Sequence, residues 1–182
     1  VHIFSMDDPS FRSVYADILG KYNDREGIVI DTRFNGGGRL HEDIEILFSG
    51  KKYFTQVVRG REACDMPSRR WNKPSIMLTC EANYSNAHGT PWVYQHQGIG
   101  KVVGMPVPGT MTSVSWETLQ DPTLYFGIPI VGYRLPDGSY LENKQLEPDV
   151  KIANSPEKII KGEDEQLETA VKELLKEIDS KK

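Results

Sequence analysis

Two short segments of the chain carry residue types that can do chemistry on a carbonyl group. The first contains Asn35 and three consecutive glycines at 36–38, whose backbone amides could bind a negatively charged oxygen. The second contains Ser85, whose hydroxyl becomes a nucleophile when a positioned base removes its proton. The glycine segment lacks the spacing of nucleotide-binding loops, so we expect no nucleotide there. Taken separately, a tight turn and a plain helix N-cap explain the two segments equally well.

Four histidines are candidate bases for such a serine. His2 lies on the first predicted strand, and His88 follows Ser85 by three residues, a spacing that favours packing near the same loop. His41 and His96 fall on predicted helices at positions expected to be exposed, and we assign no chemistry to them. No set of His, Asp, Glu or Cys residues has the spacing of a metal site, so we expect neither a metal nor a cofactor.

Both segments follow predicted strands, which is where α/β sheets usually carry their sites. The apolar run 27–30 ends at the glycine loop, the run 75–80 ends before the serine, and 101–104 is a third strand. Apolar residues at three- and four-residue spacing predict helices over 8–19 and 41–48. Because strands alternate with helices, the sequence predicts an α/β domain with a mostly parallel core sheet.

The remaining segments complete this outline. A helix is expected over 92–97, β structure after Pro108, and a turn at 136–138. The basic and aromatic stretch 51–73 is interpreted as a solvated loop, with a phosphate-binding patch as the alternative. Half of the residues in 155–182 are charged, and a narrow apolar stripe runs through them, so we expect an amphipathic helix docked by one face.

Composition excludes several classes of function. The chain has 182 residues and a net charge of −4, which argues against a general nucleic-acid binder. No apolar run reaches the ~18 residues of a membrane-spanning helix, so we expect no membrane insertion. Cys64 and Cys80 are too few for a disulfide framework, and one bridge or two free thiols both remain open. Because the chain begins with Val1 and not Met, we expect a processed or excised piece.

Taken together, the segments resemble the catalytic domain of the tail-specific (C-terminal-processing) serine protease family. The resemblance rests on DTRFNGGG at 31–38, ANYSNA at 82–87, KVVGMP at 101–106, LEN at 141–143 and LEPDV at 146–150. It implies an α/β domain of the Clp protease/crotonase-like superfamily over 1–152, followed by a charged C-terminal helix over 153–182 packed on it. It also implies a serine peptidase that hydrolyses peptide bonds in polypeptide tails or short peptides.

The residue 25 positions after the serine separates two branches of this family. The processing branch is expected to carry a lysine base there, whereas this chain has Thr110. The tricorn-like branch pairs its serine with a histidine near the domain start and a glutamate near its end. The resemblance therefore implies Ser85 as the nucleophile, His2 as the general base and Glu142 as the residue that orients the imidazole.

The resemblance also implies an oxyanion hole. Its donors would be the amide of Asn86 and an amide of the glycine loop, with Gly37 and Gly38 as the candidates. Two departures from the family pattern stand out. Val1 replaces a bridging serine and is expected to pack on the face opposite His2, and Asn86 replaces an acidic residue that could recognise substrate.

A non-catalytic relative of the same fold, which binds a peptide or a small ligand in the cleft, is the alternative function. The expected partner is a polypeptide or peptide substrate, and no nucleic acid is expected. The oligomeric state stays open. So does the compartment, because the processing branch leans towards the cell envelope or periplasm while tricorn-like relatives can be cytoplasmic.

Overall fold

A parallel four-stranded sheet forms the centre of the computed structural model, which describes residues 1–181. In order across the sheet, its strands are β1 (Ile28–Asp31), β4 (Ser75–Thr79), β5 (Lys101–Gly104) and β8 (Val150–Lys151). Residues 1–3 extend this sheet beside β1, because the Ile3 N–H donates to the Asp31 carbonyl at 2.8 Å and His2 pairs in parallel with Asp31. The predicted α/β class with a mostly parallel sheet is therefore what the chain forms.

Helices cover both faces of the sheet. They are α1 (Asp8–Ala16), continued by a π turn over Asp17–Lys21, α2 (His41–Ser49), α3 (Asn86–His96), α4 (Pro156–Ile159) and α5 (Glu165–Ser180). One face of the sheet packs with α1, α2 and α3 in a single apolar cluster, and the other packs with α5. Strands covered on both sides must be apolar on both sides, which is why β4 is buried at every position.

Alternation along the edge strands assigns each side chain to a face. Ile28 and Ile30 of β1 pack in the cluster with α1, α2 and α3, while Val29 packs against α5. In the added N-terminal segment, Val1 and Ile3 contact that same first cluster. Val1 therefore packs as the alternation predicts, and the side chain of His2, which lies between Val1 and Ile3, faces the α5 side of the sheet.

Two antiparallel hairpins project from this frame. They are β2 (Phe54–Val58) with β3 (Arg61–Met66), and β6 (Ser113–Thr118) with β7 (Tyr125–Val131). The interpretation of 51–73 as a loop is wrong, because the first hairpin lies within it. The sequence does not reveal these strands, since nearly every position is exposed and apolar and polar residues do not alternate. Both cysteines, at 64 and 80, are free thiols.

The start of α3 also differs from the prediction. The helix begins at Asn86 and not near Trp92, so Pro91 lies inside it. Pro91 is the sixth helical residue, so its missing N–H leaves the Ala87 carbonyl without its usual helical donor, and the Asn83 side chain donates to that carbonyl instead at 3.3 Å. Ser85 is therefore the residue directly before the helix.

An ion-pair network ties α5 to the end of β1. The guanidinium of Arg33 lies 2.6 Å from the Asp31 carboxylate and 2.8 Å from that of Asp164. Asp164 is also the N-cap of α5, where its side chain accepts the N–H of Leu167. The bond from Arg33 is the main cause that lowers the pKa of Asp164 to about 2.

We predict that Asp164→Ala lowers the free energy of unfolding by about 2 kcal/mol, since it removes both a cap and one of two carboxylates on Arg33. Because the folded pKa of Asp164 lies below its ordinary value, its stabilisation is present above pH 4 and is lost as pH falls towards 2. Urea unfolding between pH 7 and pH 2.5 measures both effects. Arg12→Ala, which breaks an exposed Asp8–Arg12 pair, should leave stability nearly unchanged, and an equal loss in both variants would contradict this prediction.

Candidate active site

Ser85 occupies a sharp turn between β4 and α3. Its backbone has φ 55° and ψ −120°, a conformation that non-glycine residues rarely adopt. Its carbonyl already accepts the N–H of His88, while its own N–H donates to the Thr110 hydroxyl at 3.1 Å. Among residues 1–181 the Ser85 hydroxyl enters no hydrogen bond, and the residue is partly exposed. The turn thus presents an unpartnered hydroxyl at the start of a helix.

The glycine loop lies directly against this turn. A Cβ on Gly37 would lie 2.7 Å from the Cβ of Ser85 and 3.1 Å from the Asn86 nitrogen, so only glycine allows this approach. The Tyr84 N–H donates to the Asn35 carbonyl at 3.0 Å and joins the two segments. The structure therefore brings together the two segments singled out in the sequence.

Only some of the amides in this region are available to a ligand. The Gly37 N–H donates to the Asn35 side chain at 2.8 Å, so this candidate donor is already engaged within the loop. In the part of the chain that the structure describes, the N–H groups of Gly38 and Asn86 have no hydrogen-bond partner. Gly38 follows Gly37 and Asn86 follows Ser85, so each of these amides is next in the chain to one of the two residues in contact; the Gly36 N–H likewise has no partner among the described residues.

The Asn86 side chain joins α2 to α3. Its Oδ1 accepts the N–H of Leu40 at 2.8 Å and that of His41 at 3.1 Å. Its Nδ2 contacts Nδ1 of His41 at 2.8 Å. An amide from α3 thus caps the N-terminus of α2, which has no cap of its own.

Glu142 lies in the same neighbourhood as Ser85. Its carboxylate accepts the N–H of Thr112 at 2.7 Å, and the Asn143 N–H donates to the Gly109 carbonyl. The segments 109–112 and 141–144 therefore run side by side, and Thr110 connects them to Ser85. The structure brings this predicted carboxylate near the serine turn.

His2 does not join this group. Its neighbours Val1 and Ile3 pack in the cluster with α1, α2 and α3, so the His2 side chain points to the α5 face of the sheet. The His2 ring meets Phe4 edge-on at 6.0 Å and lines a cavity of about 470 Å³ with Asp31 and Arg33. Among residues 1–181, His2 and Ser85 share no hydrogen bond, and the alternation that buries Val1 and Ile3 turns the His2 side chain towards α5.

Burial disfavours the protonated form of both His41 and His88. It is the main cause that lowers the pKa of each, although the Lys144 backbone and the charge of Glu142 act in the opposite direction on His88. His88 is fully buried in α3, and neither of its ring nitrogens has a hydrogen-bond partner among the described residues. Neither imidazole contacts the Ser85 hydroxyl.

His41 and Thr110 are the site residues that sequence reasoning missed. His41 was expected at an exposed helix position. In the structure it is half-buried at the edge of α2, because Asn86 and Tyr133 contact its ring. Helical periodicity could not reveal a partner 45 residues away. Thr110 could have been found, since it stands at the position where one branch of the family carries its base.

The sequence of this chain is similar to those of known proteins. Residues 1–152 match the family model described as Peptidase family S41. Over 98% of its length the chain is 24% identical to the tricorn protease of Thermoplasma acidophilum, and over 94% it is 26% identical to tricorn protease homolog 1 of Streptomyces coelicolor. It spans only 17% and 16% of those two proteins.

Solved structures show the same fold. The crystal structure of the tricorn protease superposes with a TM-score of 0.82 at 22% identity, covering 98% of this chain and 18% of that one. The photosystem II D1 C-terminal processing protease superposes with a TM-score of 0.62 at 15% identity, covering 84% and 41%. These likenesses confirm the predicted α/β fold with a mostly parallel core sheet.

No helix among residues 1–181 has the length and apolar character needed to cross a membrane. Over the same residues, no three His, Cys, Asp or Glu side chains are arranged to hold a metal ion.

We predict that acid destabilises the fold through His88. The folded-state pKa of this buried imidazole lies below its ordinary value of 6.5, so its contribution to stability is present above pH 6.5 and is lost as pH falls through the folded pKa. Urea unfolding at pH 8 and pH 5 should show a smaller loss in His88→Leu than in the wild type. An equal pH dependence in the variant and the wild type would contradict this origin.

Proposed function

The chain belongs to peptidase family S41, a family of serine peptidases, and we propose that in its complete gene product it supplies the nucleophile and the oxyanion hole of a peptidase site. The observation that carries this proposal is the unpartnered Ser85 hydroxyl beside the free amides of Gly38 and Asn86. The substrate would be a polypeptide, as membership of a peptidase family implies, and we propose a polypeptide tail or a short peptide.

The chemistry follows from these groups. The Ser85 oxygen attacks the peptide carbonyl and loses its proton to a base, and the carbonyl oxygen becomes negatively charged. The N–H groups of Gly38 and Asn86 donate to that oxygen. Collapse of the intermediate breaks the C–N bond as the base returns the proton to the leaving amine, and water then releases the acyl group. Removing one donor of this kind typically costs about 10²-fold or more in kcat.

The base is the group that residues 1–181 do not place at Ser85. His2 lies on the other face, the Nδ1 atom of His41 contacts Asn86, and His88 is enclosed in α3. We infer that the proton acceptor comes from a polypeptide segment outside these residues. Glu142, whose carboxylate is near the turn, would orient that incoming group and stabilise its cationic form.

The lack of a base beside Ser85 also favours a second candidate function. A relative that binds a peptide at the same turn without cleaving it would need the free amides but no proton acceptor. Such a protein would hold a peptide carbonyl or a terminal carboxylate at Gly38 and Asn86. Reaction of the serine with an electrophile distinguishes the two candidates.

We predict that a fluorophosphonate labels the complete gene product at Ser85, and that Ser85→Ala abolishes both labelling and hydrolysis, the latter by at least about 10⁴-fold. His2→Ala should retain labelling, since its ring faces α5. Intact-protein mass spectrometry with tryptic mapping measures the adduct.

Each other result has a defined meaning. No adduct on the folded wild type would favour the peptide-binding candidate. Loss of labelling in a folded His2→Ala variant would instead restore His2 as the base and overturn the placement described above.

We predict a smaller role for Thr110, whose hydroxyl accepts the Ser85 N–H. Thr110→Val keeps the shape but removes the acceptor, and loss of one such bond, worth about 1 kcal/mol, should lower kcat by roughly fivefold. Thr110→Ser keeps the hydroxyl and should stay close to the wild type. Steady-state kinetics on a peptide substrate compares the pair, and equal rates for the Val and Ser variants would remove Thr110 from the site.

A further inference from the structure

The contacts of Asn86 determine the orientation of its own carboxamide. Two backbone N–H groups, from Leu40 and His41, point at one terminal atom of this side chain. A donor requires an acceptor, so that atom is the oxygen. The other terminal atom is then the NH₂ group, which lies 2.8 Å from Nδ1 of His41.

The same reasoning determines the protonation of His41. Because the Asn86 NH₂ group only donates, Nδ1 of His41 must accept. In a neutral imidazole the proton then resides on Nε2. Burial, which is the main cause that lowers the pKa of His41, favours this neutral form.

This pair lies between the two free amides of the site. Leu40 and His41 follow Gly38 closely in sequence, while Asn86 itself carries the second amide. The carboxamide therefore holds the chain just after the glycine loop against the first residue of α3. We refer to the Asn86 side chain with its bonds to Leu40 and His41 as the Asn86–His41 clamp.

We propose that His41 is a positioning residue, which through the Asn86–His41 clamp keeps the amides of Gly38 and Asn86 aligned on one oxygen and which releases them on protonation. This inference rests on the proposed function of those two amides. His41 touches no reacting atom and acts through Asn86 alone.

Protonation breaks the clamp for a simple reason. A proton on Nδ1 of His41 places two donors, Nδ1–H and the Asn86 NH₂, 2.8 Å apart. The carboxamide cannot rotate to accept that proton without turning its NH₂ group towards the Leu40 and His41 N–H groups. Acid therefore loosens the join between the glycine loop and the serine turn.

Other charges near His41 act in both directions. Glu42 and Asp43 of α2 favour the protonated form, whereas Arg39, which precedes the helix, disfavours it. Tyr133 meets the ring edge-on, with centroids 6.1 Å apart. The remaining titratable groups around the adjoining cavity are His96 from α3 and Arg134 and Asp137 from the opposite wall.

Two substitutions of His41 in the complete gene product distinguish a role as hydrogen-bond acceptor from a role in packing. In His41→Asn, a side-chain oxygen stands where Nδ1 stands and accepts from Asn86 at every pH. In His41→Leu, the acceptor is lost. We expect His41→Leu to lower kcat by about tenfold to 100-fold, because small misalignments cost this much, with little change in KM, while His41→Asn stays close to the wild type at pH 7.5.

The pH profile provides the second readout. The ratio of wild-type kcat to that of His41→Asn cancels the titration of the base, which both proteins share. We expect this ratio to be near one at pH 7.5 and to fall as pH drops below 6.5, since only the wild type loses its clamp. His96→Asn, which removes a different imidazole from α3, should give a ratio that does not vary with pH.

Asn86→Asp should remove the dependence. One carboxylate oxygen still accepts from Leu40 and His41, while the other accepts a proton from Nδ1, which the neutral Nδ1–H tautomer and protonated His41 both offer. The clamp therefore forms on both sides of the His41 titration, and the backbone amide of the residue is unchanged. We expect the ratio of Asn86→Asp kcat to that of His41→Asn to stay constant below pH 6.5, where the wild-type ratio falls.

Nitrogen NMR of the histidines tests the clamp without any substrate. The wild type at pH 7.5 should show His41 as the Nε2–H tautomer, and the Asn86 side-chain NH₂ signal should shift as His41 titrates. A failed peptidase assay with this NMR result would overturn the proposed function and leave the clamp in place. Three results would overturn the inference. The first is an Nδ1–H tautomer of His41, and the second is an Asn86 NH₂ signal that does not shift as His41 titrates. The third is an equal kcat for His41→Leu and a wild type that is active and labelled at Ser85.

Discussion

The backbone of Ser85 is held in a conformation that costs about 1–3 kcal/mol in a free chain, and the surrounding contacts exist to hold it there. The Thr110 hydroxyl accepts the Ser85 N–H, and Gly37 packs against the Ser85 Cβ. The Ser85 carbonyl accepts the N–H of His88 in the first turn of α3. These contacts come from three separate parts of the sequence. The strained turn aims a hydroxyl outward and leaves the next amide, that of Asn86, without a partner.

The sheet separates the groups around this turn. Its two faces are covered by different helices. Ser85 and Glu142 are both bonded to the 109–112 segment, while His2 lines a cavity with Arg33 and Asp164. In the function that we propose, this chain supplies the nucleophile and the oxygen-binding amides, and the proton acceptor comes from elsewhere.

Much of the fold was predictable because buried parallel strands are continuous apolar runs. The runs at 27–30, 75–80 and 101–104 became β1, β4 and β5 within one residue at each end. The hairpin of β2 and β3 was missed because nearly all its side chains are exposed, which removes the alternation that marks a strand. Long-range pairing, not local pattern, creates that element.

The site was predictable only in part, for a related reason. Ser85 and the glycine loop could be identified as candidates from their residue types, and the resemblance to a family pointed to Glu142. The role of His41 depends on a partner 45 residues away, and the separation of His2 from Ser85 depends on which way one strand residue points. That Gly37 gives its N–H to Asn35 is equally invisible before the loop is folded.

The central claim is that Ser85 forms a bond to the substrate while Gly38 and Asn86 bind the oxygen. A crystal structure of the complete gene product with a peptide boronic acid tests it most directly. The account predicts a bond from boron to the Ser85 oxygen, with one boronate oxygen about 2.7–3.1 Å from both amide nitrogens. Boron attached to another residue, or an oxygen turned away from those amides, would contradict it.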